Sequence, residues 1–250
     1  GRYVFRRSRA LARHQRDQPI ACFQKGSKPP GGGLEGRCRM PTCELADVGP
    51  VVVKIYTRGG LMGRCNRHRY LRWGPTRSEQ EFAWLEQVRQ LGIRAPEPVA
   101  AVHRGGLFYR CWLVTHRVYG ALPLTQFGRQ QPEDLAAVMA ACSRQIDRLI
   151  QNRILHPDLH PGNVLLMPDG RYGLIDVGDM RFPLLPLTNE QRRRNFSHLL
   201  RSVEFQDALR HHRGEDFIDA YLAAARLPAR RHEALRTRLI GDFRRSHLGS

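Results

Sequence analysis

The stretch His156-Pro157-Asp158-Leu159-His160-Pro161-Gly162-Asn163 constrains this chain more than any other. An apolar run from Asn163 to Met167 follows it. Then come the turn sequence Pro168-Asp169-Gly170, a second apolar run from Tyr172 to Ile175, and Asp176-Val177-Gly178. Proline fixes φ and glycine admits positive φ, so the two runs read as short strands joined by a turn. A lone His-x-Asp carries little meaning, because a turn aspartate or a capping asparagine looks the same. The full pattern has an aspartate, an asparagine five residues on, and a strand–turn–strand ending in a second aspartate. That is the spacing of a kinase catalytic and metal-binding core.

Phosphoryl transfer asks the protein for position and charge more than for covalent chemistry. It needs an oriented acceptor hydroxyl, magnesium across the phosphates of ATP, and a cation on the phosphates that stay behind. Asp158 is the candidate base and His156 the residue that braces its loop. Asn163 and Asp176 are the candidate metal ligands.

The candidate cation is Lys54, which closes the β-branched run Val51-Val52-Val53-Lys54-Ile55-Tyr56, a strand by composition. Its plain alternative is a surface lysine. Arg77 to Leu91 reads as a helix, with Phe82, Leu85, Val88 and Leu91 at three-residue spacing and Gly92 as the stop. Glu81 shares the inward face with Leu85 and Val88 and is the expected partner of Lys54. Glu79 is the fallback. Gly31-Gly32-Gly33-Leu34-Glu35-Gly36 is either a phosphate cover, through Gly33 and Gly36, or plain linker, since no Gly-x-Gly-x-x-Gly is present. Ala95-Pro96-Glu97 spells a protein-kinase signature on the wrong side of the catalytic loop and reads only as a connector.

Three regions follow. Residues 1–30 form a basic segment with Arg2, Arg6, Arg7, Arg9, Arg13 and Arg16, read as an interfacial helix or a frayed terminus. Residues 31–118 are strand-rich, with further strands expected at Leu107–Tyr109 and Cys111–Val118. Residues 119–250 are helix-rich. They carry an apolar stripe of Leu135, Val138, Met139, Cys142, Ile146, Leu149 and Ile150, and helices after Thr188 with breaks at Gly214, Pro228 and Gly241. The class is α+β.

Charge is the compositional outlier. Lys and Arg number 41 against 23 Asp and Glu, a net charge of +18. Such a surplus favours anionic partners. No zinc, helix-turn-helix or aromatic RNA-binding pattern is present, so no nucleic-acid partner is expected. No apolar run approaches the ~20 residues that span a bilayer, and no secretory leader is read, so the chain is expected to be cytoplasmic. The six cysteines contain no Cys-x-x-Cys and are expected to be reduced thiols.

Several stretches resemble the bacterial lipopolysaccharide core kinases, and among them the 3-deoxy-D-manno-octulosonic acid (Kdo) kinases. They are Tyr56-Thr57-Arg58-Gly59-Gly60-Leu61-Met62-Gly63, Arg69-Tyr70, Thr76-Arg77 with Glu81-Phe82, Pro96 to Ala101, the catalytic stretch, Arg194-Asn195 and Leu199 to Ser202. The resemblance runs from about Gly31 to Ser202. It implies a protein-kinase-like two-lobed fold, with a small β-rich N-lobe and a helical C-lobe. It implies ATP and Mg2+ as cofactors. The acceptor it implies is a sugar, Kdo or heptose, of the lipid A-linked inner core, at the anionic inner leaflet where the chain sits peripherally. Arg58, Arg64, Arg67 and Arg69 are then candidate acceptor or lipid contacts. Two spellings depart from the family. Kdo kinases commonly read Asp-Leu-Asn-Ala-His-Asn where this chain has Asp158-Leu159-His160-Pro161-Gly162-Asn163, and often Asp-Phe-Asp where it has Asp176-Val177-Gly178. His160-Pro161-Gly162-Asn163 is closer to aminoglycoside-type phosphotransferases, the alternative reading. A basic nucleic-acid binder or a pseudokinase is the non-enzyme alternative.

Overall fold

Burial alternates along Pro50 to Lys54, with Val51 and Val53 fully buried, so this β-branched stretch forms a strand with one face in a core. The computed structural model describes residues 3–7, 41–56, 70–124, 148–159, 161–169, 171–185, 187–200 and 227–248, with positions 20, 126, 215, 218, 219, 222 and 223. It is a mixed α/β chain with antiparallel sheets in two compact units. Gly1–Gln90 with Pro96–Val118 form the first unit, and Leu91–Ala95 with Tyr119–Ser250 the second.

The first unit is a six-stranded antiparallel sheet. Its strands are β1 (Tyr3–Arg7), β2 (Thr42–Leu45), β3 (Gly49–Ile55), β4 (Tyr70–Leu71), β5 (Pro98–Gly105) and β6 (Phe108–His116). The order is β1-β5-β6-β3-β2, with β4 also paired to β6. Leu45, Val51, Val53, Val99, Ala100, Val102, Trp112 and Val114 make one buried cluster, with Tyr3 and Phe5 of β1 packed against it. Each large apolar side chain buried there contributes roughly 1.5–3 kcal/mol. Helix α1 (Arg77–Gln90) packs on β5 and β6 and buries Phe82, Leu85 and Val88. Its start is fixed by a capping box: Thr76 N donates to Glu79 Oε2 (2.7 Å) and Glu79 N to Thr76 Oγ1 (3.3 Å). Gly92, at φ +72°, follows its end as expected.

The second unit holds a three-stranded sheet, β7 (Leu122–Pro123), β8 (Val164–Leu166) and β9 (Tyr172–Leu174), in the order β7-β8-β9. Leu174 N donates to Arg94 O (2.8 Å), which fastens residues 91–95 to β9. Helices α2 (Asn189–Leu200) and α3 (Ala229–Leu248) are joined by Arg193. Its guanidinium reaches Glu190 and Asp242. Arg193 and Arg194 pull the Glu190 carboxyl down to about 2. Most of the expected apolar stripe at 135–150 lies outside the described residues. Leu149 and Ile150, at its end, are helical and buried.

The structure corrects five expectations. Tyr3–Arg7 is neither an interfacial helix nor a frayed end but an edge strand, registered Tyr3↔Arg104 to Arg7↔Ala100. Pro98, expected to end the stiff connector Ala95-Pro96-Glu97-Pro98, instead opens the strand Pro98–Gly105, where a missing N–H is tolerated, and a bulge follows before Ala100. The strands expected at 107–109 and 111–118 are one strand, β6. Gly241 does not break a helix but lies within α3. Cys43 is disulfide-bonded, not a reduced thiol. Among the described residues no helix is long and apolar enough to cross a membrane.

Gly105 makes the β5–β6 turn. Its φ is +114°, and a Cβ there would meet Phe108 O at 2.2 Å. Gly105→Ala is expected to destabilise the chain by roughly 1–3 kcal/mol, read as a lower urea midpoint at unchanged slope.

Candidate active site

Two clusters carry the candidate chemistry, one in each unit. In the first, β3 places Lys54 opposite Leu113 and α1 places Glu81. Lys54 Nζ donates to both Glu81 oxygens at 2.8 Å, across 27 residues of sequence. The Glu81 side chain is only 3% exposed. A carboxylate that deep keeps its charge only beside strong donors. Tyr56 supplies a further one: its hydroxyl donates to Glu81 Oε2, and Lys54 Nζ lies 5.2 Å from its ring centroid. Lys54 and Tyr56 are two residues apart in extended chain, hence on one face. Tyr56 N continues the ladder by donating to Cys111 O. The structure thus joins Lys54 to Glu81, and the fallback Glu79 is occupied in the helix cap. Tyr56 was not anticipated, although a hydroxyl two positions after the strand lysine was the available signal.

Behind the helix start, His103 of β5 is buried. Its Nδ1 lies 3.8 Å from Glu79 Oε1 and its Nε2 3.5 Å from Arg72 Nη1. Burial holds the His103 imidazole below its ordinary pKa, against the pull of Glu79. Burial also works against the Glu79 charge, but the Thr76 bonds with His103 and Arg72 outweigh it and the carboxyl sits below its ordinary value. Burial pushes the Cys111 thiol up to about 11, so it serves as a core side chain rather than a nucleophile.

In the second unit the sequence folds the loop from both ends. Leu155 N donates to Arg181 O and Arg181 N to Leu155 O, each at 2.9 Å. His156 and Leu159 are buried beneath the loop while Asp158 stays exposed. Asn163 Nδ2 donates to Asp158 O at 2.9 Å. That bond needs the amide nitrogen, so Oδ1 is the acceptor end left for other work. The register Val164↔Leu174 to Leu166↔Tyr172 continues one step further, where Ile175 N donates to Asn163 O at 2.9 Å. The hairpin therefore brings Asp176 back beside the loop. Asp176 is exposed and left-handed, at φ 58° and ψ 51°. A non-glycine residue in that region costs of order 1–3 kcal/mol and is concentrated at functional sites.

The donor set suits magnesium. A side-chain amide oxygen and a carboxylate are hard ligands, and Mg2+ commonly takes one or two protein oxygens and completes its shell with phosphates and water. Gly33, Gly36, Arg58, Arg64, Arg67 and Arg69 lie outside the described residues.

The His103–Glu79 contact makes a pH prediction. An unfolded chain protonates His103 near its ordinary 6.5, and the folded chain only below that. Stability on this account is full above 6.5 and falls as pH drops through the lowered folded value. The Glu79 contribution is lost only below 4.5, outside this window. His103→Gln is expected to lessen the fall in thermal midpoint between about pH 7 and pH 5.5.

Comparison with known proteins bears on both clusters. The 3-deoxy-D-manno-octulosonic acid kinase of Xylella fastidiosa is 33% identical over 163 residues, 63% of each chain. The protein of that name from Xanthomonas oryzae pv. oryzae is 34% identical over 164 residues, again 63% of each chain. That from Vibrio cholerae is 30% identical over 127 residues, 50% of this chain and 54% of the other. The chain thus spans under two thirds of the length of these relatives. The Lipopolysaccharide kinase (Kdo/WaaP) family profile matches residues 34–221, a span that holds Lys54, Glu81, Asp158, Asn163 and Asp176. The chain belongs to the lipopolysaccharide kinase (Kdo/WaaP) family.

Proposed function

We propose that this chain is an ATP-dependent phosphotransferase that phosphorylates a sugar hydroxyl of the lipopolysaccharide inner core. Kdo on lipid A is the first acceptor to test, because the relatives are named as Kdo kinases; heptose is the second. In this reading the chain has the two-lobed arrangement of protein kinases, divided near residue 118, and works peripherally at the cytoplasmic face of the inner membrane. Its net charge of +18 suits an anionic acceptor on an anionic leaflet.

Each side chain has a role. Asp158 accepts the proton of the attacking hydroxyl and orients it. His156, buried under the loop, holds Asp158 in place. Lys54, aimed by Glu81, neutralises the α- and β-phosphates. Asn163 and Asp176 would hold magnesium, which would supply positive charge to the phosphates of ATP. Gly33 and Gly36 cover the phosphates, and Arg58, Arg64, Arg67 and Arg69 meet the acceptor's anionic groups.

The observation that carries this reading is the Lys54–Glu81 pair. Removing a glutamate from water to this depth costs several kcal/mol. An exposed pair would hold the sheet to the helix nearly as well. A lysine fixed in one orientation for phosphates makes use of the expense.

A second reading, a soluble aminoglycoside as acceptor, draws on the spelling His160-Pro161-Gly162-Asn163. Aminoglycosides are cations, and a +18 chain repels them.

The test is transfer from radiolabelled ATP with Mg2+ to Kdo–lipid A, with kanamycin in parallel. Label on the lipid is expected; no label beside an active control enzyme sinks the proposal. Asp158→Asn is expected to lower kcat about 10²–10⁴-fold with the fold intact by circular dichroism. Lys54→Gln is expected to raise KM for ATP as well.

A further inference from the structure

The outer end of the first unit's sheet presents apolar side chains that no core explains. In the β4–β6 pairing, Tyr70 stands opposite Tyr109 and Leu71 opposite Phe108. Side chains alternate across a sheet, so the two pairs face opposite ways. Tyr70 and Tyr109 are buried, whereas Leu71 is 41% and Phe108 54% exposed. Leu107, at the β5–β6 turn, is 67% exposed, and Arg72 N donates to its carbonyl. Trp73, the residue after Arg72, is 90% exposed. Four large apolar residues thus gather at one hairpin end, a grouping that marks an interaction surface rather than scattered exposure.

Cations follow on the same face. Arg110 lies two residues past Phe108, and Arg104 stands directly opposite Arg110 in the register. Both are exposed. The Arg104 guanidinium lies 5.3 Å from the Tyr3 ring, and neither arginine has a carboxylate partner among the described residues. Like charges placed directly across a strand pair are unfavourable. Such an arrangement suits an anionic partner.

We propose that this end of the sheet is a membrane-docking surface. Leu71, Trp73, Leu107 and Phe108 enter the outer acyl region of an anionic bilayer, and Arg104 and Arg110 meet its lipid phosphates. The spacing favours a bilayer over an acidic protein or nucleic acid. Two residues of strand separate the apolar pair from the arginine pair, about 7 Å. Interfacial elements bury their apolar side about 5–10 Å deep, so the arginines fall at phosphate level. Exposed tryptophan is characteristic of that boundary, and arginine forms paired bonds to phosphate. The inference rests on the reading of a lipid-anchored acceptor for its purpose, but it is tested without ATP.

The full chain is floated with vesicles of phosphatidylethanolamine and phosphatidylglycerol, and with phosphatidylcholine alone. Preferential flotation with the anionic vesicles is expected. A blue shift of tryptophan emission should accompany it, with quenching by brominated acyl chains, and both should vanish in Trp73→Phe. Leu107→Ser with Phe108→Ser, and separately Arg104→Gln with Arg110→Gln, should each weaken partitioning about tenfold at unchanged thermal midpoint. The arginine pair should also flatten the salt dependence. Absence of flotation overturns the proposal. So does flotation unaffected by both double variants, or retention of nucleic acid or an acidic protein by the same arginines without vesicle binding. Phosphate transfer to detergent-dispersed Kdo–lipid A is measured beside it. Vesicle binding with no transfer refutes the kinase reading and leaves the docking surface standing. Transfer with no vesicle binding does the reverse.

Discussion

An ion pair between a half-buried strand lysine and a buried helix glutamate organises the first unit. Lys54 reaches both oxygens of Glu81, and Tyr56 adds a third hydrogen bond to the same carboxylate. Desolvation works against this arrangement, so each neighbour that fixes the partners matters. β3 is held between β2 and β6 and cannot shift register without turning Val51 and Val53 out of the core. α1 cannot slide without giving up both its capping box and the burial of Phe82, Leu85 and Val88. The orientation of one ammonium group is therefore secured by a whole sheet and a helix. Electrostatic chemistry needs that, because a donor already in place costs no reorganisation when charge develops.

The second cluster uses a different economy. Asp158 and Asp176 are exposed, and their positions come from the backbone: the Leu155–Arg181 bridge, the Asn163 amide on the Asp158 carbonyl, and the Ile175–Asn163 bond. Carboxylates destined for a metal and a substrate hydroxyl have to stay reachable, and the fold restrains the chain around them while both residues remain exposed.

How far the sequence exposed this depended on the range of each interaction. The hairpin from Asn163 to Asp176 was legible because turn residues and apolar runs are local signals. Glu81 was legible because helical periodicity fixes its face. Tyr56 was not, since its hydroxyl finds a carboxylate 25 residues away. β5 escaped notice because Pro96 and Pro98 announce a connector, while Val99 to Val102, buried on both faces, show no alternation. β1 is set by pairing with residues a hundred positions on, and its two arginines mask the apolar contacts of Tyr3 and Phe5. Gly241 shows packing overriding propensity: Leu235, Leu239 and Phe243 are buried on either side of it. The disulfide at Cys43 has no sequence signal of its own.

Residues 91–95 belong to the second unit although the chain on both sides of them belongs to the first. Their link to β9 is the bond from Leu174 N to Arg94 O. The polypeptide therefore passes from one unit to the other three times before it stays in the second. Neither unit is a continuous length of sequence. A cut after residue 118 strips the second unit of the segment that borders β9, and a cut after residue 90 strips the first of β5 and β6. Exchange of one half between related genes at a single crossover after residue 118 would set residues 91–95 of one parent against β9 of the other.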